Sequence, residues 1–442
     1  MKATHLEHAA SPENSASRQQ SPSLAAEAAH TPPEQFGALH YPNFRLLLGV
    51  VFLTGFGQQM LTVAIGWELY NRTGSALVLG GIGLAEVIPL ILLFLPAGYA
   101  ADRVSRKTLL LLTEVVSILA TLGLAALSFR QGPVLAIYGC LMLLGAVQSF
   151  SMPTSSAIVA QVLPESAFEK ANTWRSSVSQ LSSVLGPAAG GLLIGVFSGA
   201  GWVYVLSSGF CAVAFALLLF TRVGPQTGPV ASGRKMGALV GGVRFLGQTP
   251  VLLAAITLDL FAVLLGGAVT LLPIFAKDIL HVGPFGLGWL QAASSLGAVG
   301  MALFLAQRPA FKRAGPTLLL AVAGFGVATI IFGLSHWFWL SFLMLFILGG
   351  LDNISVVIRS TLVLVRAPDE MRGRVSAVSS LFVGTSNQLG GFESGVTAQL
   401  LGPIGSVALG GFGTMLVVAA VALIWPEMRR LRTLREHAQQ TN

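Results

Sequence analysis

Residues Ser75 to Lys107 read SALVLGGIGLAEVIPLILLFLPAGYAADRVSRK. About 25 residues pass with one charge, Glu86, before three cations and an aspartate arrive together. A bilayer core needs roughly 20 apolar residues of helix to cross it, so the stretch is one membrane crossing followed by a charged turn. The rest of the chain repeats the pattern. Of 442 residues, 54% are hydrophobic and 10% charged, with a mean hydropathy of +0.75. Soluble domains carry about 25% charged residues, which excludes a soluble enzyme, a nucleic-acid binder and a disordered chain.

Working outward, apolar runs fall at 44–70, 75–99, 108–129, 133–158, 172–197, 201–221, 251–276, 284–306, 315–335, 337–362, 375–400 and 403–425. The expected fold class is an all-α membrane protein of twelve transmembrane helices. Residues 1–40, rich in Ala, Ser, Glu and Pro, read as a disordered cytoplasmic tail. Residues 41–221 form an N-terminal six-helix bundle, 222–250 a cytoplasmic linker, 251–425 a C-terminal six-helix bundle and 426–442 a basic cytoplasmic tail.

The net charge of +8 follows from where the cations sit. With both tails and each even-to-odd connection on one side, that side receives 22 of the 26 Lys and Arg residues, including Arg103, Arg106 and Lys107. Three, Arg72, Arg130 and Lys277, fall opposite. By the positive-inside rule both termini are cytoplasmic and the number of crossings is even. Trp67, Trp202, Trp337, Trp339 and Trp425 fall near span ends, where an interfacial belt places them.

The halves repeat. Pro164 to Gly191 lies on Pro368 to Gly395 at one offset of 204, so that Gly186 meets Gly390 and Gly191 meets Gly395. Two six-helix pseudo-repeats are one plan of secondary transporters, with substrate near the bilayer midplane. Within the repeat, Gly186, Pro187, Gly190 and Gly191 mark a bend of the fifth span: Pro removes a backbone donor and Gly admits a neighbouring helix.

The turn Gly98-Tyr99-Ala100-Ala101-Asp102-Arg103-Val104-Ser105-Arg106-Lys107 resembles the Gly-x-x-x-Asp-Arg-x-Gly-Arg-Arg/Lys signature of the major facilitator superfamily. Ser105 stands where that signature has Gly. Gly66 to Ser75, Leu185 to Gly191 and Pro368 to Val375 are similar to the bacterial branch that includes enterobactin-exporter-like proteins and other predicted effluxers. The resemblance implies a major facilitator fold and a gating latch in which Asp102, with Arg103, Arg106 and Lys107, docks on the eleventh helix when the cytoplasmic side is shut. The corresponding loop of the second half, Gln307 to Arg313, lacks the Asp, so one strong latch is expected. In many relatives the first helix carries an acid near Gln58; here it does not.

An ionisable group inside hydrocarbon costs at least about 2.5–3.5 kcal/mol, so each is a functional candidate. Away from their ends the spans hold Glu86, Glu114, Asp259, Asp352, Arg359 and Glu393. The resemblance places helices 1, 4, 7 and 10 around the cavity, which ranks Asp259 first, as either a substrate or proton site or a structural hydrogen-bonding group. Asp352 and Arg359, seven residues apart, share a face about 10 Å apart along the axis and do not pair. Arg359 either meets a carboxylate across the cytoplasmic gate or snorkels to water. Glu393 replaces Ala189 at the repeat offset. Glu86 is a coupling candidate, and Glu114 is expected to take a local partner, Arg103 or Arg106. Gln58, Gln148 and Asn353 add amides to the lining helices, and Trp67 and Phe56 aromatic surface, which suits an amphipathic organic molecule.

These readings give a secondary active transporter of the bacterial inner membrane, exporting a small organic molecule (siderophore, drug or metabolite) by alternating access and proton antiport. A lysolipid or nutrient transporter of the same fold is the alternative, and a polytopic membrane enzyme the more distant one. The histidines lie in tails or at span ends, Cys140 and Cys211 sit in apolar runs, and no Walker-type sequence occurs. No enzyme activity, cofactor or metal is expected; the partners are a small-molecule substrate, protons and the lipid bilayer, with no nucleic acid, and the state is monomeric.

Overall fold

The computed structural model describes residues 37–224, 236–308, 311 and 313–431. Eleven helices are long and apolar enough to cross a membrane. The last, Asp369–Ile424, is two helices joined at Gly402, whose φ of 76° lies in the left-handed region. Pro403 follows and cannot continue the preceding hydrogen-bond ladder, so the described residues supply twelve candidate crossings. The described residues contain no strand. Most of the 1–40 and 426–442 tail assignments, and part of the linker, lie outside the described residues.

In order, the first six spans are Pro42–Thr73, Ala76–Arg103, Arg106–Phe129, Val134–Val162, Phe168–Phe197 and Gly201–Phe220. The linker contains a helix, Met236–Gln248. Its Gly242 lies against Arg374 and Val378 of the eleventh span. Leu239, Val243 and Leu246 recur at the i, i+4, i+7 spacing of a helix, a signal within the stretch read as a linker.

The seventh span, Pro250–Ile279, departs from a continuous helix. Its α-helix ends at Leu265, Gly266 and Gly267 follow, and the chain resumes as a 3₁₀ turn (Ala268–Leu271), a short α turn and a π turn (Phe275–Ile279). Two adjacent glycines weaken a helix by about 1 kcal/mol each. Helix interruptions inside a membrane survive where neighbouring protein covers the backbone. Here Gly390 and Gly410 approach the carbonyls of Val263, Leu264 and Leu265. The eighth to tenth spans are Gly283–Ala306, Ala314–Leu334 and Phe338–Arg366.

The repeat read at offset 204 is a repeat of contacts. Gly186 packs on Phe56 and Gln59 of the first span, and Gly390 on Val263 and Leu264 of the seventh. Gly191 packs on Gly288 of the eighth span, and Gly395 on Gly80 of the second. The halves therefore meet through two equivalent pairs, fifth with eighth and eleventh with second.

Core packing differs between the two ends. One cluster draws on both halves, including Met60, Leu69 and Leu79 from the first and Leu271, Phe275 and Leu287 from the second. Nearer the end where the described residues begin and stop (37 and 431), called the terminal end, the clusters stay within one half: Phe44 with Leu163 and Ala171, Leu47 with Leu218, and Leu252 with Ile358 and Val375. The halves share a core at the far end and keep separate cores at the terminal end.

Candidate functional site

The C-terminal half holds a buried ion pair. Asp259 of the seventh span and Arg359 of the tenth are bound through Oδ2 and Nη1, and are 5% and 7% exposed. Neither of the two sequence readings of Arg359 holds: its carboxylate lies within its own half, not across the gate, and burial rules out snorkelling.

Asp259 and Asp352 line one small pocket with Ser355, Ala262, Val263, Val322, Phe325 and Leu351, contributed by the seventh, ninth and tenth spans. Ser355 is buried and its Oγ has no hydrogen-bond partner, and the same holds for Oδ1 of Asn353. Among the described residues no three or more His, Cys, Asp or Glu converge on a point.

Glu86 lies between the halves. Gln388 Nε2 of the eleventh span donates to Glu86 Oε2 at 2.6 Å. Gly83, one turn away, lets the two backbones close, since a side chain there would strike the Gln388 carbonyl. Replacing Gln388 with Leu strands the carboxylate without its donor, and a hydrogen bond to a charged group is worth about 1.5–3 kcal/mol. Gln388→Leu is expected to lower the thermal midpoint of the purified protein more than Glu86→Gln, which keeps a polar pair. Equal midpoints would show the bond to be inconsequential.

Glu114 does not take the local cation expected of it. Thr54 Oγ1 of the first span donates to its Oε1 at 3.0 Å, and Cys211 of the sixth faces it. The nearby cations are engaged on backbone carbonyls instead. Arg106 Nη1 donates to the Ala157 carbonyl at 2.6 Å, and Lys107 Nζ to the carbonyls of Leu219 and Thr221 at 2.8 and 2.9 Å. Cations are favoured by the helix dipole at C-terminal carbonyls such as those of Leu219 and Thr221.

The rest of the signature turn follows. Arg103 stacks over Tyr99 at 4.2 Å, Gly98 is buried, and the side chain of Asp102 lies outside the described residues. Ser105, the departure from the signature, caps the third span by accepting from the Thr108 amide at 3.1 Å. A Ser at this position supplies a helix N-cap that Gly lacks.

Gln58 and Gln148 are exposed on their helices, and Glu393 is partly buried beside Ser394. Phe56, expected to surface the cavity, instead packs between Phe52 and Phe210 within the N-terminal half, and Trp67 packs against the shared core.

Sequence reading missed a polar cluster at the far end. The Tyr70 hydroxyl donates to Asp278, and Lys277 Nζ donates to Asn71 Oδ1 at 2.8 Å, both bonds joining first and seventh spans. Beside them Glu68 pairs with Arg72, which also donates to the carbonyls of Leu127, Ser128 and Gly132. The Glu-x-x-x-Arg spacing was a visible signal for the Glu68–Arg72 pair; nothing local could reveal the 208-residue link between Tyr70 and Asp278.

A twelve-span bundle of two repeats, joined through glycine contacts and carrying paired charges inside the membrane, has the architecture of a secondary transporter. A sequence model of the Major Facilitator Superfamily matches residues 47–392, and the chain belongs to that family. It is a multi-pass membrane transporter of small molecules and not an enzyme. It is 27% identical over 396 residues to the multidrug efflux pump Tap of Mycolicibacterium fortuitum, covering 87% of this chain and 96% of that one. It is 26% identical to the enterobactin exporter EntS of Shigella flexneri, covering 89% and 94%. Among solved structures, a bacterial homologue of the human lysosomal transporter Spinster, inward-facing and occupied, superposes with a TM-score of 0.66 at 16% identity, covering 88% and 96%. A POT family transporter superposes with a TM-score of 0.68 at 14% identity, covering 87% and 96%. These likenesses carry the fold.

Proposed function

We propose that this protein exports a small organic molecule from the cytoplasm across the bacterial inner membrane by alternating access, driven by inward cation movement, most simply of protons. The observation that carries the reading is the division of the core: shared at one end, separate at the other. Such a pair of bundles can rock about its joined end without unpacking either half. The excess of Lys and Arg at the terminal end argues that this end is cytoplasmic, which makes the described state inward-open. Export is supported by the efflux relatives, and a small organic substrate by the same relatives.

Asp102 then belongs to the inner latch. In the described state Arg106 and Lys107 are held by carbonyls of their own half; in the inward-closed state Asp102 docks on the N-terminal end of the eleventh span. A carboxylate at a helix N-terminus contributes about 0.3–2 kcal/mol. Asp102→Asn is therefore expected to slow flux by up to about thirtyfold while insertion stays normal. The test is uptake into everted vesicles of catecholate siderophores and amphipathic dyes. Uptake that collapses on adding a protonophore supports the reading; uptake by intact cells alone would replace export with import, and wild-type flux in Asp102→Asn would remove the latch.

A further inference from the structure

The pocket between the seventh, ninth and tenth spans has an unbalanced charge. Asp259 and Asp352 contribute two negative charges and Arg359, bound to Asp259, one positive. Arg359 pairs with Asp259, and the seven-residue spacing along the tenth span sets its backbone about 10 Å from that of Asp352 along the axis. The ninth span contributes only Val322 and Phe325 to the lining. The eleventh, which packs on the seventh, places Ser394 against Gly267 with Glu393 beside it, and Glu393 is outside the lining.

A second feature is independent of the acids. Ser355 is 3% exposed, lines the pocket, and has an Oγ without a partner. Buried polar groups are normally satisfied, and an orphan hydroxyl lining the same pocket as two carboxylates is a ligand position. The donors are all hard oxygens, the kind that suits a proton or an alkali cation and not a soft metal. A deficit of one charge calls for one positive charge, and a divalent ion would overshoot it.

The geometry points to a binding site for a single monovalent cation, a proton or Na⁺, held by Asp352 and Ser355 beside the Asp259–Arg359 pair, entirely within the C-terminal half. Asp259, first among the candidates by sequence, is on this view the fixed anchor that holds Arg359, and Asp352 is the group that loads and unloads. Occupancy neutralises the pocket at the tenth span. The role of this site in transport rests on the cation-driven reading above; its existence does not.

Two measurements on the purified full-length protein separate the sources. Saturable ²²Na⁺ binding at fixed pH, one ion per chain, identifies sodium. A protonated-carboxyl C=O band that appears between basic and acidic buffer in infrared difference spectra of the wild type and is missing from those of Asp352→Asn, with no ²²Na⁺ binding, identifies the proton, the other carboxyls inside the spans being common to both. In either case Asp352→Asn is expected to abolish the signal. Ser355→Ala, which leaves every charge in place, is expected to weaken Na⁺ binding about tenfold or to shift the carboxyl band. If Asp352→Asn and Ser355→Ala both leave binding and band as in the wild type, the site is not there. If the signals behave as expected while vesicle flux ignores both ion gradients, the site stands and the cation-driven reading fails.

Discussion

Arg359→Met is expected to destabilise the protein by about 3–5 kcal/mol, because it leaves the Asp259 carboxylate buried and unpaired. Asp259→Asn should cost a similar amount by stranding the guanidinium. The double variant Asp259→Asn/Arg359→Met is expected to recover most of the loss, since a buried ion pair replaced whole by uncharged groups of similar volume is often neutral or stabilising. Unfolding of the purified single and double variants closes a double-mutant cycle, which isolates the pairwise contribution. Additive losses would mean that Arg359 has another partner, and losses below about 0.5 kcal/mol would mean that it reaches water. The pair joins the seventh span to the tenth about two turns before the Gly266–Gly267 interruption.

The members of this pair were legible in the sequence, and their pairing was not. Any charge within an apolar run stands out, so Asp259, Asp352 and Arg359 are found by scanning. A contact between residues 100 apart depends on how two helices rotate against each other, and the apolar surroundings of spans 7 and 10 leave that rotation undetermined. Glu114 fails for the opposite reason. Proximity along the chain suggested Arg103 or Arg106, but Arg106 is held by the Ala157 carbonyl of the fourth span and Arg103 by an aromatic ring, so the acid finds a hydroxyl on another span. The fold was far more legible, because twelve apolar runs, one lopsided distribution of cations and one constant offset all require the same bundle. The break at Gly266–Gly267 could have been seen as two adjacent glycines, yet glycines are common in membrane helices and mark packing as often as interruption.

Replacing both Gly191 and Gly395 with alanine is expected to prevent closure of the far end and arrest transport. A methyl at position 395 would sit 2.6 Å from the Gly80 Cα and 2.8 Å from the Ala76 carbonyl; at position 191 it would sit 2.8 Å from the Gly288 Cα. These obstacles are backbone, so no side chain can rotate away and the helices must part. Overpacking of this kind costs about 1–3 kcal/mol per site, and the two contacts lie on different helix pairs, so the costs should add. At the centre of that range the shared-core state loses about 4 kcal/mol relative to a state in which the pairs separate, a shift of several hundredfold in population. Tyr70→Phe, by contrast, removes one hydrogen bond of about 0.5–1.5 kcal/mol and should act weakly. Ser75→Cys reads the difference in a background with Cys140 and Cys211 replaced, because Ser75 Oγ lies 3.4 Å from Gln399 Oε1 across the joint between the halves. Alkylation at position 75 is expected to accelerate more than tenfold in the double-alanine variant and only slightly with Tyr70→Phe. Equal rates in all three would mean that the polar cluster and the glycine contacts do not govern closure, and faster labelling with Tyr70→Phe alone would make the hydrogen bonds, not the helix approach, the element that holds the far end shut.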